Sequence, residues 1–187
     1  MIDQLRARLA GRPGRLLTDE RARRAAVLVP IVGGDRLRLL FFERSDMVVD
    51  HKGEICFPGG GVEPTDSSSQ AAALRETREE LGLQSECIAV LGTLDDAETT
   101  VSNYIITPVV GYIEKLPRLI ADPREVARPF AVDIQVLKES AAERVNSGPH
   151  GGTSLRYCEY LVDGARIWGA TARIVRSLLD VWPSGGG

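Results

Sequence analysis

Cysteine is scarce in this chain and scattered where it occurs. Cys56, Cys87 and Cys158 are an odd number with no Cys-x-x-Cys pair among them, which excludes a zinc ribbon or a dithiol redox motif and reads as reduced, structural thiols. Positive charge is not in excess: 23 Lys and Arg stand against 26 Asp and Glu, for a formal net charge of −3. No whole-molecule field is therefore available to gather nucleic acid or an anionic membrane, and an anionic ligand has to be held by a local site. No apolar run approaches the ~18 residues of a membrane span. The N-terminus lacks the basic start and apolar stretch of a signal peptide, so the expected location is cytoplasmic. Internal repeats are absent. What is present is an ordinary globular composition, 43% hydrophobic and 26% charged over 187 residues, the size of one domain.

Along the chain, Ile2, Leu5 and Leu9 stand at helical spacing before Gly11-Arg12-Pro13-Gly14 breaks the pattern, giving a short leading helix. Ala25–Val32 and Leu37–Glu43 are aliphatic and aromatic runs around Gly33-Gly34-Asp35 and read as a hairpin. Asp46–Asp66 is rich in glycine and proline and reads as loop with one brief strand at Ile55-Cys56-Phe57. Ser67–Leu81 is the clearest helix, with Ser67 and Gln70 as a capping box and Gly82 as a left-handed stop. Strands follow at Cys87–Leu94 and Ile105–Ile113, the second placed at an edge or made irregular by Pro108. A glycine-rich connector at Asn146–Ser154 leads into a strand at Leu155–Val162. The final helix, Trp168–Trp182, buries Ala172, Val175, Leu178 and Leu179, and residues 183–187 form a disordered tail.

The chemistry concentrates on Leu74–Leu83. A helix advances about 100° per residue, so with Glu76 as zero, Glu80 falls near +40° and Glu79 near −60°. The three carboxylates share one face, while Gln70, Ala73, Leu74, Thr77 and Leu81 form a separate side to bury. Arg75 precedes Glu79 by one turn and can pair with it. Carboxylates crowded in this way repel one another unless countered, and a hard divalent cation, Mg2+ or Mn2+, is the natural counter-charge for oxygen ligands. Upstream, Phe57-Pro58-Gly59-Gly60-Gly61 offers backbone that can approach a metal or a phosphate without a Cβ in the way.

The stretch Gly59–Leu83 resembles the Nudix box, whose second half reads Arg-Glu, an aliphatic, any residue, Glu-Glu, any residue, Gly, an aliphatic. Arg75-Glu76, Glu79-Glu80 and Gly82-Leu83 fit, with Thr77 in place of the aliphatic. The first half departs: after five intervening residues from Gly60 stands Asp66 rather than Glu, and the loop is one residue longer. That departure resembles the coenzyme A diphosphatase branch. Its marks here are Phe57-Pro58-Gly59-Gly60, Pro64-Thr65-Asp66 and Ala73-Leu74-Arg75-Glu76, with Leu39-Leu40, Arg44-Ser45 and Gly53 upstream. Val49 stands where the branch signature has Arg. The likeness resumes in Leu94-Asp95-Asp96, Thr107-Pro108-Val109 and Ile167–Ala172.

The resemblance implies an α/β fold, an α/β/α sandwich around a mixed sheet, as one domain over residues 25–182 after a helical lead-in at 1–24. It implies Glu76 and Glu80 as metal ligands, Glu79 as a third ligand or the general base, Arg75 as the residue orienting Glu79, and the Gly59 carbonyl as a further ligand. Substrate contacts are expected from Arg44, Lys52, Phe57, Gly60 and Glu98. The implied reaction is hydrolysis of coenzyme A or acyl-coenzyme A to 3′,5′-ADP and 4′-phosphopantetheine. ADP-ribose, a dinucleotide or another nucleoside diphosphate derivative is the alternative substrate, and a catalytically silent ligand-binding module the alternative of another kind. A homodimer is left open.

Overall fold

The computed structural model describes residues 1–12, 14–48, 51–99, 103–146 and 155–183, with the backbone alone described over 142–146 and 155–157. Helix α1 (Ile2–Gly11) ends where the glycine and proline begin. Strands β1 (Arg23–Val32) and β2 (Arg38–Arg44) form the expected hairpin, but only Ile31↔Leu39 and Val32↔Arg38 pair directly. The rest of β1 faces two other strands. On one side lies β4 (Gly59–Gly61), antiparallel, with Ala25, Ala26 and Val27 opposite Gly61, Gly60 and Gly59. On the other lies β7 (Tyr104–Ile113), parallel over ten residue pairs. The glycine stretch read as loop is thus a strand, preceded by the short β3 (Ile55–Cys56) on β2.

Strand β7 is interior, flanked by β1 and by β5 (Ala89–Thr93) and β6 (Ala97–Glu98), which corrects the edge placement of Pro108. The Pro108 carbonyl accepts from the Leu94 amide, so its missing N–H faces the gap where β5 has ended and β6 has not begun. Proline is accommodated inside a sheet because that position has no ladder bond to lose. A 3-10 turn at Ser85–Cys87 occupies the start of the expected strand.

Strand β8 (Val126–Asp133) pairs antiparallel with β2 and leads into α3 (Ile134–Ser140), whose first amides are capped by Asp133 through Gln135 N at 2.7 Å. A second, three-stranded sheet comprises β9 (Ala141–Asn146), β10 (Leu155–Val162) and β11 (Ala165–Ile167). The antiparallel pairing of β9 with β10 fits a hairpin; its connector at 147–154 and the tail at 184–187 lie outside the described residues. Helix α4 (Gly169–Val181) closes the chain, burying Ala172, Ile174, Val175 and Leu178, with Leu179 half-buried.

Burial on both faces of β1 and β2 sets the layering. Val29, Ile31, Leu39 and Phe41 pack with α1, α3 and α4, including Leu5, Leu9 and Leu178. Ala26, Leu28, Leu40 and Phe42 pack on the opposite face with Ala72, Ala73 and Leu81 of α2 (Ser69–Leu81). The result is a mixed sheet between helices. Asp95 and Asp96 fasten the lead-in to it: Asp95 accepts from Arg12 at 2.7 Å and the Arg15 amide at 2.8 Å, and the fully buried Asp96 side chain accepts from Leu17 N, Arg24 and Thr107. Among the described residues no helix is long and apolar enough to cross a membrane.

Candidate active site

The site is built where α2 meets β4. The helix starts one residue later than its sequence suggests: Ser68, in extended conformation, caps it by accepting from Ala71 N at 3.1 Å, and Gln70 is exposed rather than boxed with Ser67. Gly82, at φ 65, ends it as expected. Thr77 fits the buried side because its hydroxyl donates to the Ala73 carbonyl at 2.7 Å, the helix itself satisfying the one polar atom that separates it from an aliphatic.

Glu80 is carried on the same helix but is only 2% exposed. The Gly59 amide donates to its Oε2 at 2.9 Å. Glu76 lies against the next residue of the loop: a Cβ on Gly60 would stand 2.6 Å from Glu76 Oε1. The two carboxylates therefore lie against consecutive glycines, and at Gly60 the missing side chain is what leaves room for Glu76. Gly59 also has φ +151, and a Cβ there would meet the Ala26 carbonyl oxygen at 2.3 Å.

Burial pushes the Glu80 carboxyl up to about 8 against the stabilising Gly59 amide, with the charges of Glu76 and Glu125 adding to the rise. Glu76 is raised by burial too, offset by Arg75. Glu125, just before β8, was not anticipated; the only signal for it was its charge, since the sheet pairing that brings it near α2 joins residues far apart in sequence. Glu79 is half exposed and free of this burial.

Arg75 holds the edge of the site differently from the expectation. Its principal partner is Asp66, reached bidentately through Nε at 3.1 Å and Nη2 at 3.0 Å, and that pairing holds the Asp66 carboxyl below its ordinary range. Nη2 also donates to the Gly61 carbonyl at 3.0 Å, and Nη1 is shared between Glu76 at 2.9 Å and Glu79 at 3.2 Å. One planar guanidinium thus ties the loop to two helix carboxylates.

In this arrangement no three Asp, Glu, His or Cys side chains among the described residues converge as a metal cage. Glu76 and Glu79 are drawn to Arg75, and Glu80 to Gly59. The donor set nonetheless fits a hard divalent cation: the buried Glu80 faces like charges from Glu76 and Glu125 and has one backbone amide against its ionised form.

The glycine strand opens onto a cleft of about 340 Å³ lined by Arg44, His51, Cys56, Gly59, Tyr104 and Thr171 among others. Arg44 projects into it with a buried, unpartnered Nε. His51 pairs with Glu54 at 3.0 Å, and burial pushes the Cys56 thiol up to about 12, which makes it inert as a nucleophile. Phe57 lines the floor of the cleft: it is 3% exposed and stacked on Phe41 with centroids 4.7 Å apart. Lys52 belongs to a neighbouring cleft with Arg128, Arg166 and Trp168. Glu98 lies in a third, beside Arg15 and Arg173, where its carbonyl accepts from Arg173. Arg44, Gly59, Gly60, Glu76 and Glu80 are thus brought together; Lys52 and Glu98 are not. Val49 lies outside the described residues.

Comparison with known proteins agrees with this geometry. The NUDIX domain model matches residues 22–144. The chain is 34% identical over 166 residues to the uncharacterized Nudix hydrolase NudL of Photorhabdus laumondii, covering 89% of this chain and 88% of the relative. The NudL of Citrobacter koseri is 35% identical over 156 residues, covering 83% and 81%. In fold, a Deinococcus radiodurans protein matches with TM-score 0.55 at 18% identity over 85% of this chain and 86% of its own. A MutT/nudix family protein of Enterococcus faecalis matches with TM-score 0.54 at 18% identity, over 89% of this chain and 64% of its own. The chain belongs to the Nudix family.

Proposed function

We propose that this Nudix protein hydrolyses a diphosphate linkage with the help of a divalent cation, and that its substrate is coenzyme A or an acyl-coenzyme A. The observation that carries the hydrolase reading is the pair Glu76 and Glu80, set against Gly60 and Gly59, two glycines that line an open cleft. A purely ligand-binding module has no use for a buried carboxylate that raises the energy of its own fold. Glu76 and Glu80 would hold Mg2+ or Mn2+, with the Gly59 carbonyl and Glu79 as further candidates. Bound there, the cation supplies charge neutralisation for diphosphate oxygens and acidifies an attacking water.

The chain's own residues do the rest. Glu79, exposed and oriented by Arg75, accepts a proton from the water unless it serves as a third ligand. Asp66 keeps Arg75 in place, and Arg44, which lines the cleft, offers its positive charge to the substrate there. Coenzyme A is favoured by the branch signature from Leu39 to Gly60 and by Arg44 lying in the cleft it leads to. The reading that keeps the chemistry but takes ADP-ribose or a dinucleotide is favoured by the position of Lys52 in the neighbouring cleft, which leaves Arg44 as the Lys or Arg side chain lining the cleft at the glycine strand.

Purified protein assayed with Mg2+ and Mn2+ against coenzyme A, acyl-coenzyme A, ADP-ribose and dinucleotides tests both levels. Highest efficiency on the coenzymes, with 3′,5′-ADP and 4′-phosphopantetheine as products, is expected. Preference for ADP-ribose overturns the substrate, and no metal-dependent turnover on any of them overturns the reaction.

A further inference from the structure

Trp168 is 43% exposed although it sits between the last strand and the last helix, where large apolar side chains normally turn inward. It is the N-cap residue of α4 and contributes no side-chain capping bond, so helix initiation does not require an indole there. Its position is shared by two clefts. One, of about 540 Å³, contains Lys52, Arg128 and Arg166. The other, of about 230 Å³, contains Arg44, His51, Thr99 and Thr171 and adjoins the cleft that runs to Gly59 and Gly60. Arg166 stands over the indole with its guanidinium carbon 5.6 Å from the ring centroid, and is itself tied to the buried Glu159 at 2.8 Å. Arg166 lines only the first cleft, Arg44 only the second.

We infer that Trp168 is a specificity-determining residue that stacks the nucleobase of the substrate on the side of its ring turned toward Arg44. This deepens the function proposed above and rests on it. The physical case is that a diphosphate held at the glycine strand and Arg44 leaves its nucleoside end in the adjoining cleft. There Trp168 is the large aromatic side chain with exposed surface, Phe57 being stacked away on Phe41. The Arg166 guanidinium on one side stiffens the indole, so little rotamer freedom is lost when a planar base lands on the other. Stacking of this kind discriminates purine from pyrimidine by the area of the ring and makes no demand on the diphosphate.

Binding of adenosine 5′-diphosphate, measured by calorimetry and by tryptophan fluorescence in the presence of Mg2+, tests this without turnover. The chain has two tryptophans, and Trp182 is buried. Adenosine diphosphate is expected to quench the emission of the wild type, inorganic pyrophosphate not to, and Trp168→Phe to abolish the quench. Trp168→Ala should weaken adenosine diphosphate binding roughly ten-fold, the value of one base-aromatic stack, with Trp168→Tyr restoring most of it. Pyrophosphate affinity should be the same in all three. In turnover, Trp168→Ala should raise KM and leave kcat within about two-fold, as loss of uniform binding requires. Equal adenosine diphosphate affinity in the wild type and Trp168→Ala overturns the inference while leaving the hydrolase reading intact. Absence of diphosphate hydrolysis in the wild type sinks that reading instead, and the binding titration still decides the role of Trp168.

Discussion

The Gly59 amide donates a 2.9 Å hydrogen bond to the carboxylate of Glu80, joining the glycine strand to the helix and placing an ionisable group in a site almost closed to solvent. That single bond does not offset burial, and the Glu80 carboxyl stays near 8. The proton it retains has consequences for stability and for metal affinity.

In metal-free protein the folded state binds the Glu80 proton more tightly than the unfolded chain, whose carboxyl titrates near 4.3. Its contribution to stability is therefore fully present below that value and is lost as the pH rises toward 8. A cation must displace the same proton, so its stabilising effect grows over the same window. Scanning calorimetry from pH 5 to pH 8, with and without Mg2+, should show Tm falling without metal and the metal-induced rise in Tm increasing. Glu80→Gln should flatten both trends.

Gly59 and Gly60 should respond differently to the same added methyl. At Gly59 it meets backbone, Ala26 O at 2.3 Å, and the residue has φ +151. Gly59→Ala is expected to destabilise the fold by about 1–3 kcal/mol or more. At Gly60 it meets the carboxyl end of Glu76, which can swing aside. Gly60→Ala should keep its Tm within a few degrees and lose most of its turnover, because the displaced group is the proposed ligand. Melting curves beside kcat separate the two.

Asp66 is predicted to matter through Arg75. With Asp66→Asn the guanidinium loses its bidentate partner and remains shared between Glu76 and Glu79. Residues that position a metal ligand or base cost roughly ten- to hundred-fold when removed, and the loss should fall on kcat rather than KM. Arg75→Lys should do the same, since a point charge cannot hold Asp66, Gly61 and two glutamates in one plane. A rise confined to KM would make both residues substrate contacts.

Much of this site was legible from Leu74–Leu83 because a helix sorts side chains by a fixed angle, so the common face of Glu76, Glu79 and Glu80 follows from spacing alone. The partners of that face were not. Three consecutive glycines have no side-chain alternation to mark β4 as a strand, and its pairing with β1 depends on residues more than thirty positions away. Strand β8 escaped because Arg128 and Pro129 interrupt its apolar pattern, and with it went Glu125. Asp66 was read as an off-pattern residue in the box and a mark of the branch, with no role of its own, yet the structure gives it the strongest hold on Arg75. The aromatic of the Phe57-Pro58-Gly59-Gly60 stretch lines the cleft and also packs on Phe41, and that second role was not legible because it depends on a residue of another strand.

Glu125 and Glu98 form a further contrast. Glu125 adds its charge to Glu76 and Glu80, whereas Glu98 lies in a different cleft. Glu125→Gln should shift the Mg2+ concentration needed for half-maximal turnover, and Glu98→Gln should leave the metal dependence unchanged. A titration of rate against Mg2+ for the two variants checks this, and a shift for Glu98→Gln with none for Glu125→Gln would reverse the assignment.

The most direct test of the account is the rate of coenzyme A cleavage in saturating Mg2+, followed by chromatography of the products, for the wild type and for Glu80→Gln. Glu80→Gln removes the charge of a proposed ligand while keeping an oxygen to accept from Gly59. The account predicts 3′,5′-ADP and 4′-phosphopantetheine from the wild type and at least a hundred-fold slower formation by the variant, about 2.7 kcal/mol of lost transition-state stabilisation. Cleavage by Glu80→Gln at the wild-type rate, or a wild type that leaves the diphosphate of coenzyme A intact, would contradict it.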